Sequence, residues 1–326
     1  MSKNWQDYSA MDASLSLDDD DVLFRDKSNT TDNATHGTVL RLPPSGLLGL
    51  CGIAPGGRIT LESGVPVSTS SQTSKSTIYY TPYVHDWVRL YDGTRPKLYQ
   101  FTERSLALSG LTSGKNYDVF LYDNAGTLTL ELSAAWTNDT TRADALAWQS
   151  GVGWVKSGSA TRLWLGTIRT TGTTTTGIEF GGTDAKPYCF VSNYYNRVRS
   201  AFRYTDSTNS WSYSSATLRA MNNSSNARFE FVSVGPSKVD ANVAIHIGGA
   251  GNGQIGIGYD STTAVYTSIA QFNGVGTTGT MGESIRTTLG YHYIAPLEAS
   301  GSGSATFYGD AGVSTPYSLF RCDHEY

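Results

Sequence analysis

The sequence predicts an all-β protein in which an extended N-terminal arm precedes two antiparallel β-sandwiches. Composition is the first observation behind this fold class. Charged residues make up only 16% of the 326 residues, well below the roughly 25% usual for soluble domains, whereas Gly (35) and Tyr (20) are abundant. The second observation is a recurrence of short segments rich in β-branched and aromatic residues, separated by turn residues. The sequence contains no coiled-coil heptads and no apolar run long enough to span a membrane.

Residues 1–56 are predicted to form an anchoring arm. Four consecutive aspartates at 18–21 lead into a polar segment and then into a bend rich in Pro and Gly, residues that interrupt regular elements. The apolar residues near the end of the arm have little local structure to bury them, so we expect them to pack on another module or chain. These residues are Leu47, Leu48, Leu50 and Ile53.

Residues 57–136 are predicted to form the first sandwich, because seven short strand-like segments follow one another there. The stretch from Leu108 to Trp136 contains a Leu-x-Gly-Leu-Thr-x-Gly-x-x-Tyr run. This run resembles the tyrosine corner of fibronectin-III-like and immunoglobulin-like sandwiches, in which a tyrosine hydroxyl bonds to backbone a few residues upstream. Leu111 and Tyr117 occupy the corresponding positions.

Residues 137–165 are interpreted as a connector, and residues 166–326 as a jelly-roll-like C-terminal sandwich of about eight short strands with Gly-rich turns. The run FVSNYYNRVRSAFRYTD, residues 190–206, is ambiguous, because its apolar residues fit both a strand and a helical stripe. We favour a strand.

Charge and cysteine content exclude several classes of site. The formal net charge of −4 gives no indication of a nucleic-acid-binding face. Cys51, Cys189 and Cys322 are too far apart in sequence for a zinc motif or a disulfide framework, so we expect free, mostly buried thiols. The N-terminal residues lack an apolar core of signal-peptide length, which favours synthesis in a reducing cytoplasm. No cofactor, metal site or membrane insertion is predicted.

No catalytic residues are predicted either. The sequence has no G-x-S-x-G motif, and its five histidines are scattered singly. His246, in an apolar strand, is expected to be a core or interface side chain. Glycoside hydrolysis needs two carboxylic acids about 5–10 Å apart. Asp139 with Asp144, or Glu230 with Asp240, are candidate pairs, although solvated surface acids are the favoured interpretation.

One basic cluster is a candidate glycan or subunit contact. Arg197, Arg199 and Arg203 alternate with aromatic residues that include Tyr194 and Tyr195. Arginine forks match planar anions, and tyrosine rings stack on sugars. The alternative, which we favour at this point, is a cross-strand ladder with acids within the fold or at a subunit contact.

The chain resembles a family of virion proteins. DDDDVLFRDKSNTTDNATHGTVLRLP is similar to the leader at the start of many tailed-bacteriophage tail-fibre and virion proteins. Three further stretches are similar to segments of phage and prophage structural proteins: IYYTPYVHDWVRLYDG, VKSGSATRLWLGTIRTTG and YNRVRSAFRY. The resemblance covers most of residues 15–235 and implies a virion structural protein.

This resemblance implies a non-enzymatic protein of the virion, of the tail-fibre or receptor-binding appendage type. Residues 1–56 would anchor it to other virion proteins, and analogy to such appendages implies a homotrimer. The C-terminal sandwich would present a surface to a host glycan. A capsid decoration or head-fibre protein is the alternative, and a glycan depolymerase is a further one.

Overall fold

The computed structural model describes the strands at 22–25 and 39–42 and the residues 53–273, 276–310, 312 and 317–326. The described residues form 28 β-strands and a single turn of 3-10 helix at Met221–Asn223, with no α-helix among them. The prediction of an all-β fold is therefore confirmed. None of the helical structure in this part of the chain is long and apolar enough to cross a membrane.

The described part of the N-terminal half contains thirteen strands. In chain order they are β1 (Val22–Arg25), β2 (Val39–Leu42), β3 (Gly57–Thr60), β4 (Gln72–Lys75), β5 (Thr77–Pro82), β6 (Trp87–Tyr91), β7 (Pro96–Gln100), β8 (Arg104–Ala107), β9 (Asn116–Asn124), β10 (Thr127–Leu132), β11 (Leu146–Gln149), β12 (Gly153–Lys156) and β13 (Ser159–Arg169). All seven predicted segments between residues 57 and 136 coincide with strands, namely β3 and β5–β10.

The other fifteen strands lie in the described residues of the C-terminal half. They are β14 (Thr176–Glu179), β15 (Gly181–Thr183), β16 (Tyr188–Cys189), β17 (Val191–Asn193), β18 (Arg199–Thr205), β19 (Trp211–Tyr213), β20 (Arg219–Ala220), β21 (Phe229–Ser233), β22 (Ser237–Gly248), β23 (Asn252–Tyr259), β24 (Ile269–Phe272), β25 (Thr277–Thr287), β26 (Gly290–Ser302), β27 (Ala305–Tyr308) and β28 (Ser318–Glu325). The ambiguous run forms two strands, β17 and β18, and bends at residues 194–196 between them, so its interpretation as a strand is confirmed for its two ends.

The first sandwich packs the sheet β3-β5-β8 near the hairpin β6-β7 and a sheet of order β10-β9-β13-β12-β11. Tyr117 is buried at the start of β9, and its hydroxyl accepts a hydrogen bond from the backbone N–H of Thr112 at 2.8 Å. This is the contact that the tyrosine-corner prediction requires. Leu111 is half-buried beside the core. The corner thus fixes the turn through which the chain enters β9.

Sheet membership does not follow the predicted domain boundaries. Residues 137–165 were expected to be a connector, but they contain β11, β12 and the first part of β13, which pairs with β9 from Leu163 to Arg169. In addition, β17 pairs with β13, and β4 pairs with β14 of the second sandwich. The reason is the length of β13, whose eleven residues extend across the predicted boundary at 165.

The second sandwich consists of two sheets with a shared core. One has the order β24-β23-β26-β21-β16-β14-β4, with β20 beside β26. The other has the order β15-β18-β28-β22-β27-β19, with β25 on the opposite side of β22. Buried aromatic rings fill the space between them, and Phe202 stacks on Phe229 with centroids 4.5 Å apart. Cys189 and Cys322 are buried free thiols, as predicted, and Cys51 lies outside the described residues.

Candidate functional site

The outward side chains of β18, β28, β22 and β25 form one continuous surface, which we call the β22 face. Strand alternation creates it: along β28, Phe320, Cys322 and His324 point into the core, so Leu319 and Arg321 point outward. The antiparallel register extends the same alternation to the neighbouring strands. A concavity of about 460 Å³ lies on this face, which is within the range of about 300–1,000 Å³ typical of ligand sites.

One end of the β22 face is aromatic. The His246 ring lies 5.3 Å from the Tyr308 ring and 5.5 Å from the Tyr317 ring, measured between centroids. Tyr317 is 44% exposed. The backbone N–H of His246 donates to the carbonyl of Tyr317 at 3.0 Å, which holds the two residues side by side. Rings presented in this way offer apolar stacking surfaces together with polar groups that hydrogen-bond.

The other end of the face carries arginines. Arg203 on β18 lies directly opposite Arg321 on β28, and Arg321 lies opposite Asn242 on β22. Arg321 donates to Asp323 at 2.8 Å. Arg203 is exposed and has no ion-pair partner within the described part of the chain. The middle of the face, between the arginines and the aromatic rings, is lined by Ala244, Thr280, Gly282 and Leu319.

A carboxylate network lies beside the arginines. Asp240 accepts hydrogen bonds from Ser284 at 2.6 Å and from Arg199 at 2.7 Å, and it pairs with Lys238 at 2.9 Å. The Ser284 hydroxyl, followed by Lys238 and Arg199, holds the pKa of Asp240 well below its usual range. Asp240 is therefore ionised at neutral pH, and it is poorly suited to act as a general acid.

The predicted basic cluster is divided between two places. Arg199 and Arg203 lie on the β22 face, whereas the Arg197 guanidinium lies 5.7 Å from the Tyr194 ring at the junction between the sandwiches. Tyr194 packs on Trp164 at 4.8 Å and accepts a hydrogen bond from Trp154. The Tyr195 ring packs edge-on against Tyr194 at 4.9 Å.

The five residues of this cluster therefore do not form one site. Arg199 belongs to an ion-pair ladder, as the favoured alternative predicted, whereas Arg203 has no ion pair with any described residue. Of the predicted anchoring residues, Ile53 is half-buried, and Leu47, Leu48 and Leu50 lie outside the described residues. The sequence reasoning missed Arg321, Tyr308 and Tyr317. The alternation of Leu319, Arg321 and Asp323 in the last strand was the available signal.

The candidate acids Glu230 and Asp240 are not brought together. Glu230 lies on β21 and Asp240 on β22, which belong to the two opposite sheets of the second sandwich. Asp139 pairs with Arg169 at 2.8 Å, and Asp144 pairs with Lys156 at 3.1 Å. Asp139 and Asp144 are therefore members of structural ion pairs.

Two carboxyl groups in the described part of the chain do have a raised pKa, and burial is the main cause for both. Asp118 is bound by Trp136, Trp164, Thr167 and Arg142, whereas Glu298 is bound by Trp211 and Arg219. Both are at most 1% exposed, so neither is open to a polymeric substrate. Among the described residues, no three His, Cys, Asp or Glu side chains are grouped so as to hold a metal ion.

Comparison with known proteins gives only weak structural similarity. No protein-family model and no curated protein matches the chain. A β-porphyranase of glycoside hydrolase family 86 from the human gut bacterium Bacteroides plebeius aligns with 9% identity and a TM-score of 0.23 over 80% of this chain and 38% of that one. The chain thus spans well under half the length of the porphyranase.

Two other structures align at a similar level. The structure of infectious bursal disease virus, Gx strain, aligns with 12% identity and a TM-score of 0.24, covering 80% of this chain and 77% of that one. An exo-β-1,3-galactanase from Phanerochaete chrysosporium aligns with 9% identity and a TM-score of 0.17, covering 83% and 68%. None of these TM-scores supports an inference about function.

Proposed function

We propose that this protein is a non-enzymatic structural protein of a bacteriophage virion, of the tail-fibre or receptor-binding type, and that its C-terminal sandwich attaches to a glycan on the host surface. The resemblance of the leader and of the strand segments to virion proteins supports the location. The β22 face is the observation that supports attachment, because it combines exposed rings, arginines and an open concavity on one rigid sheet.

The chemistry of the face favours binding over cleavage. Sugar rings have apolar faces that pack on Tyr317 and Tyr308, and their hydroxyls match polar groups such as the Asn242 amide. A depolymerase needs one carboxyl group with a raised pKa close to its partner. On this face Asp240 has a lowered pKa instead. The same proposal includes docking of residues 1–56 onto other virion proteins and assembly as a homotrimer.

Immunogold labelling of intact virions tests the location. The antibody is raised against residues 166–326 and applied to particles that carry the full chain. Label at the tail is the expected result, since attachment proteins must reach the host first. Label spread over the head would contradict the attachment role and make the protein a capsid decoration protein.

Competition for host cells tests the attachment role itself. The purified full chain is expected to block adsorption of the phage, and the Tyr317→Ala variant is expected to block it less, because it lacks an exposed ring of the β22 face. Trp148→Ala is the matched control, since Trp148 is 63% exposed but belongs to the first sandwich. Equal blocking by all three proteins would exclude the β22 face as the attachment surface.

A further inference from the structure

The arginine end of the β22 face contains a like-charge pair that the fold does not need. Arg203 and Arg321 occupy opposite positions on neighbouring antiparallel strands and point to the same side. Side chains in such positions have Cβ atoms about 4.5–5.5 Å apart, and like charges there destabilise a sheet. Both guanidiniums are exposed, so neither one fills the core. A pair that costs stability and contributes no packing is typical of a site for an anion.

The charges around the arginine pair also favour an anionic ligand. The outward positions of the four strands contain five cationic and three acidic side chains, and the face therefore carries two net positive charges. The cations are Arg199, Arg203, Lys238, Arg286 and Arg321, and the acids are Asp240, Asp323 and Glu325. The whole chain has a net charge of −4. The face is thus a positive region on an acidic protein, which attracts an anionic ligand in preference to a neutral one.

The ion pairs leave donors available for a ligand. Asp240 and Asp323 are engaged by Arg199, Lys238 and Arg321. Arg203 has no carboxylate partner among the residues that the structure describes, so its planar fork of N–H groups is free to bind an oxyanion with two parallel hydrogen bonds. Asn242 lies opposite Arg321 and adds an amide donor on the same row.

The distance along the face sets the size of the ligand. His246 and Asn242 are four residues apart on β22, which corresponds to about 13 Å. A ligand that reaches both ends must therefore be an oligosaccharide rather than a single sugar. Its rings lie on Tyr317 and Tyr308, and its anionic group lies on the arginine pair.

We propose that the β22 face binds an oxyanion-bearing oligosaccharide, with Arg203 and Arg321 holding the carboxylate or phosphate and the aromatic end holding a neutral ring. This inference rests on the proposed attachment function and adds the class of glycan to it. The two oxyanions share the same recognition chemistry, and the test below distinguishes them.

The test is calorimetric titration of the full chain with three probes at low salt. They are a tetrasaccharide that alternates glucuronic acid with a neutral sugar, the same tetrasaccharide with its carboxyl groups reduced to alcohols, and a tetrasaccharide of neutral sugars joined through phosphodiesters. We expect at least one anionic probe to bind about 10- to 100-fold more tightly than the reduced one, since hydrogen bonds to charged groups contribute about 1.5–3 kcal/mol. Preference for the first or the third probe identifies the oxyanion as carboxylate or phosphate.

The double variant Arg203→Gln and Arg321→Gln is expected to lose this preference while it keeps its weak affinity for the reduced probe. Arg95→Gln is the matched control, because Arg95 is an exposed arginine in the β6–β7 turn of the first sandwich. Absence of binding by both anionic probes, or an equal preference in the double variant and the wild type, would overturn the inference. If the reduced probe binds as tightly as the anionic probes, the requirement for an anion is overturned, but attachment to a glycan still holds. Failure of attachment itself is read separately from the adsorption experiment.

Discussion

At the scale of single residues, the second sandwich contains a histidine whose ring is buried among aromatic side chains. His324 is 1% exposed, and neither of its ring nitrogens has a hydrogen-bond partner among the described residues. Its ring packs 4.8 Å from Phe231 and 5.7 Å from Phe229. Burial, with a smaller contribution from the positive charge of Arg197, lowers the pKa of His324 to about 3.

This depressed pKa makes the protein sensitive to acid. The unfolded chain has a histidine pKa of about 6.5, so above that pH both states are neutral and the group has no effect. Between pH 6.5 and about 3 only the unfolded state takes up the proton, and the free energy of unfolding falls by about 1.4 kcal/mol per pH unit from this residue alone. Below that range the loss is complete.

We therefore expect His324→Leu to flatten the pH dependence of stability. Urea unfolding at pH 7.0 and at pH 5.0 checks this. From the higher to the lower pH, the free energy of unfolding of the wild type should fall by about 2 kcal/mol more than that of the variant. The comparison at pH 7.0 isolates the packing change, because the imidazole is neutral there in both states. Parallel pH profiles for the two proteins would refute the assignment.

At the scale of elements, the tight turn of the hairpin β9–β10 holds an alanine in a backbone conformation that alanine disfavours. Asn124 pairs with Thr127, so the loop consists of Ala125 and Gly126, both with positive φ (50° and 93°). This is the type I′ geometry that matches the twist of two antiparallel strands. Glycine adopts such angles without strain, whereas alanine in the left-handed region costs about 1–2 kcal/mol.

Ala125→Asn is expected to stabilise the protein by about 0.5–1 kcal/mol, since Asn-Gly is the preferred pair for this turn and Asn tolerates the left-handed region. Ala125→Val at the same site should destabilise it, because a β-branched side chain resists positive φ. Thermal unfolding measures both. If the valine variant is as stable as the asparagine variant, the turn does not hold this geometry in solution.

At the scale of the whole molecule, the two sandwiches share a junction built around a buried arginine. Arg58 on β3 is 0% exposed. Its guanidinium donates to the carbonyls of Pro66, Asn196 and Tyr326, and it lies 5.2 Å from the Tyr326 ring. Pro66 belongs to the first sandwich, and Asn196 and Tyr326 come from the C-terminal half. One fork of donors therefore joins three separate parts of the chain.

Arg58→Lys is expected to destabilise the protein by about 2–4 kcal/mol. A lysine ammonium cannot reach three carbonyls in the fork geometry, and each buried group left unsatisfied costs about 1–3 kcal/mol. Chemical denaturation followed by tryptophan fluorescence measures the change. Arg95→Lys, at an exposed turn, is the control and should have no effect; an equally small effect at Arg58 would show that the junction does not depend on this residue.

The sequence alone determined the fold class, the strands of the first sandwich, the tyrosine at its corner and the buried thiols. These features depend on local patterns such as alternation, turn residues and spacing, which a chain displays without its tertiary contacts. The alternation in β18 places Arg199 and Arg203 on an exposed face, whereas the interpretation favoured from the sequence was a ladder with acids within the fold or at a subunit contact.

Only the tertiary structure decided which of these residues meet. The β22 face joins Arg203 to Arg321 and His246 to Tyr317 across large gaps in sequence, because it pairs strands that are far apart along the chain. The tertiary structure also places Tyr194, Tyr195 and Arg197 away from the β22 face. The predicted connector became part of a sheet for the same reason: pairing between β9 and β13 is a long-range contact that no local pattern encodes.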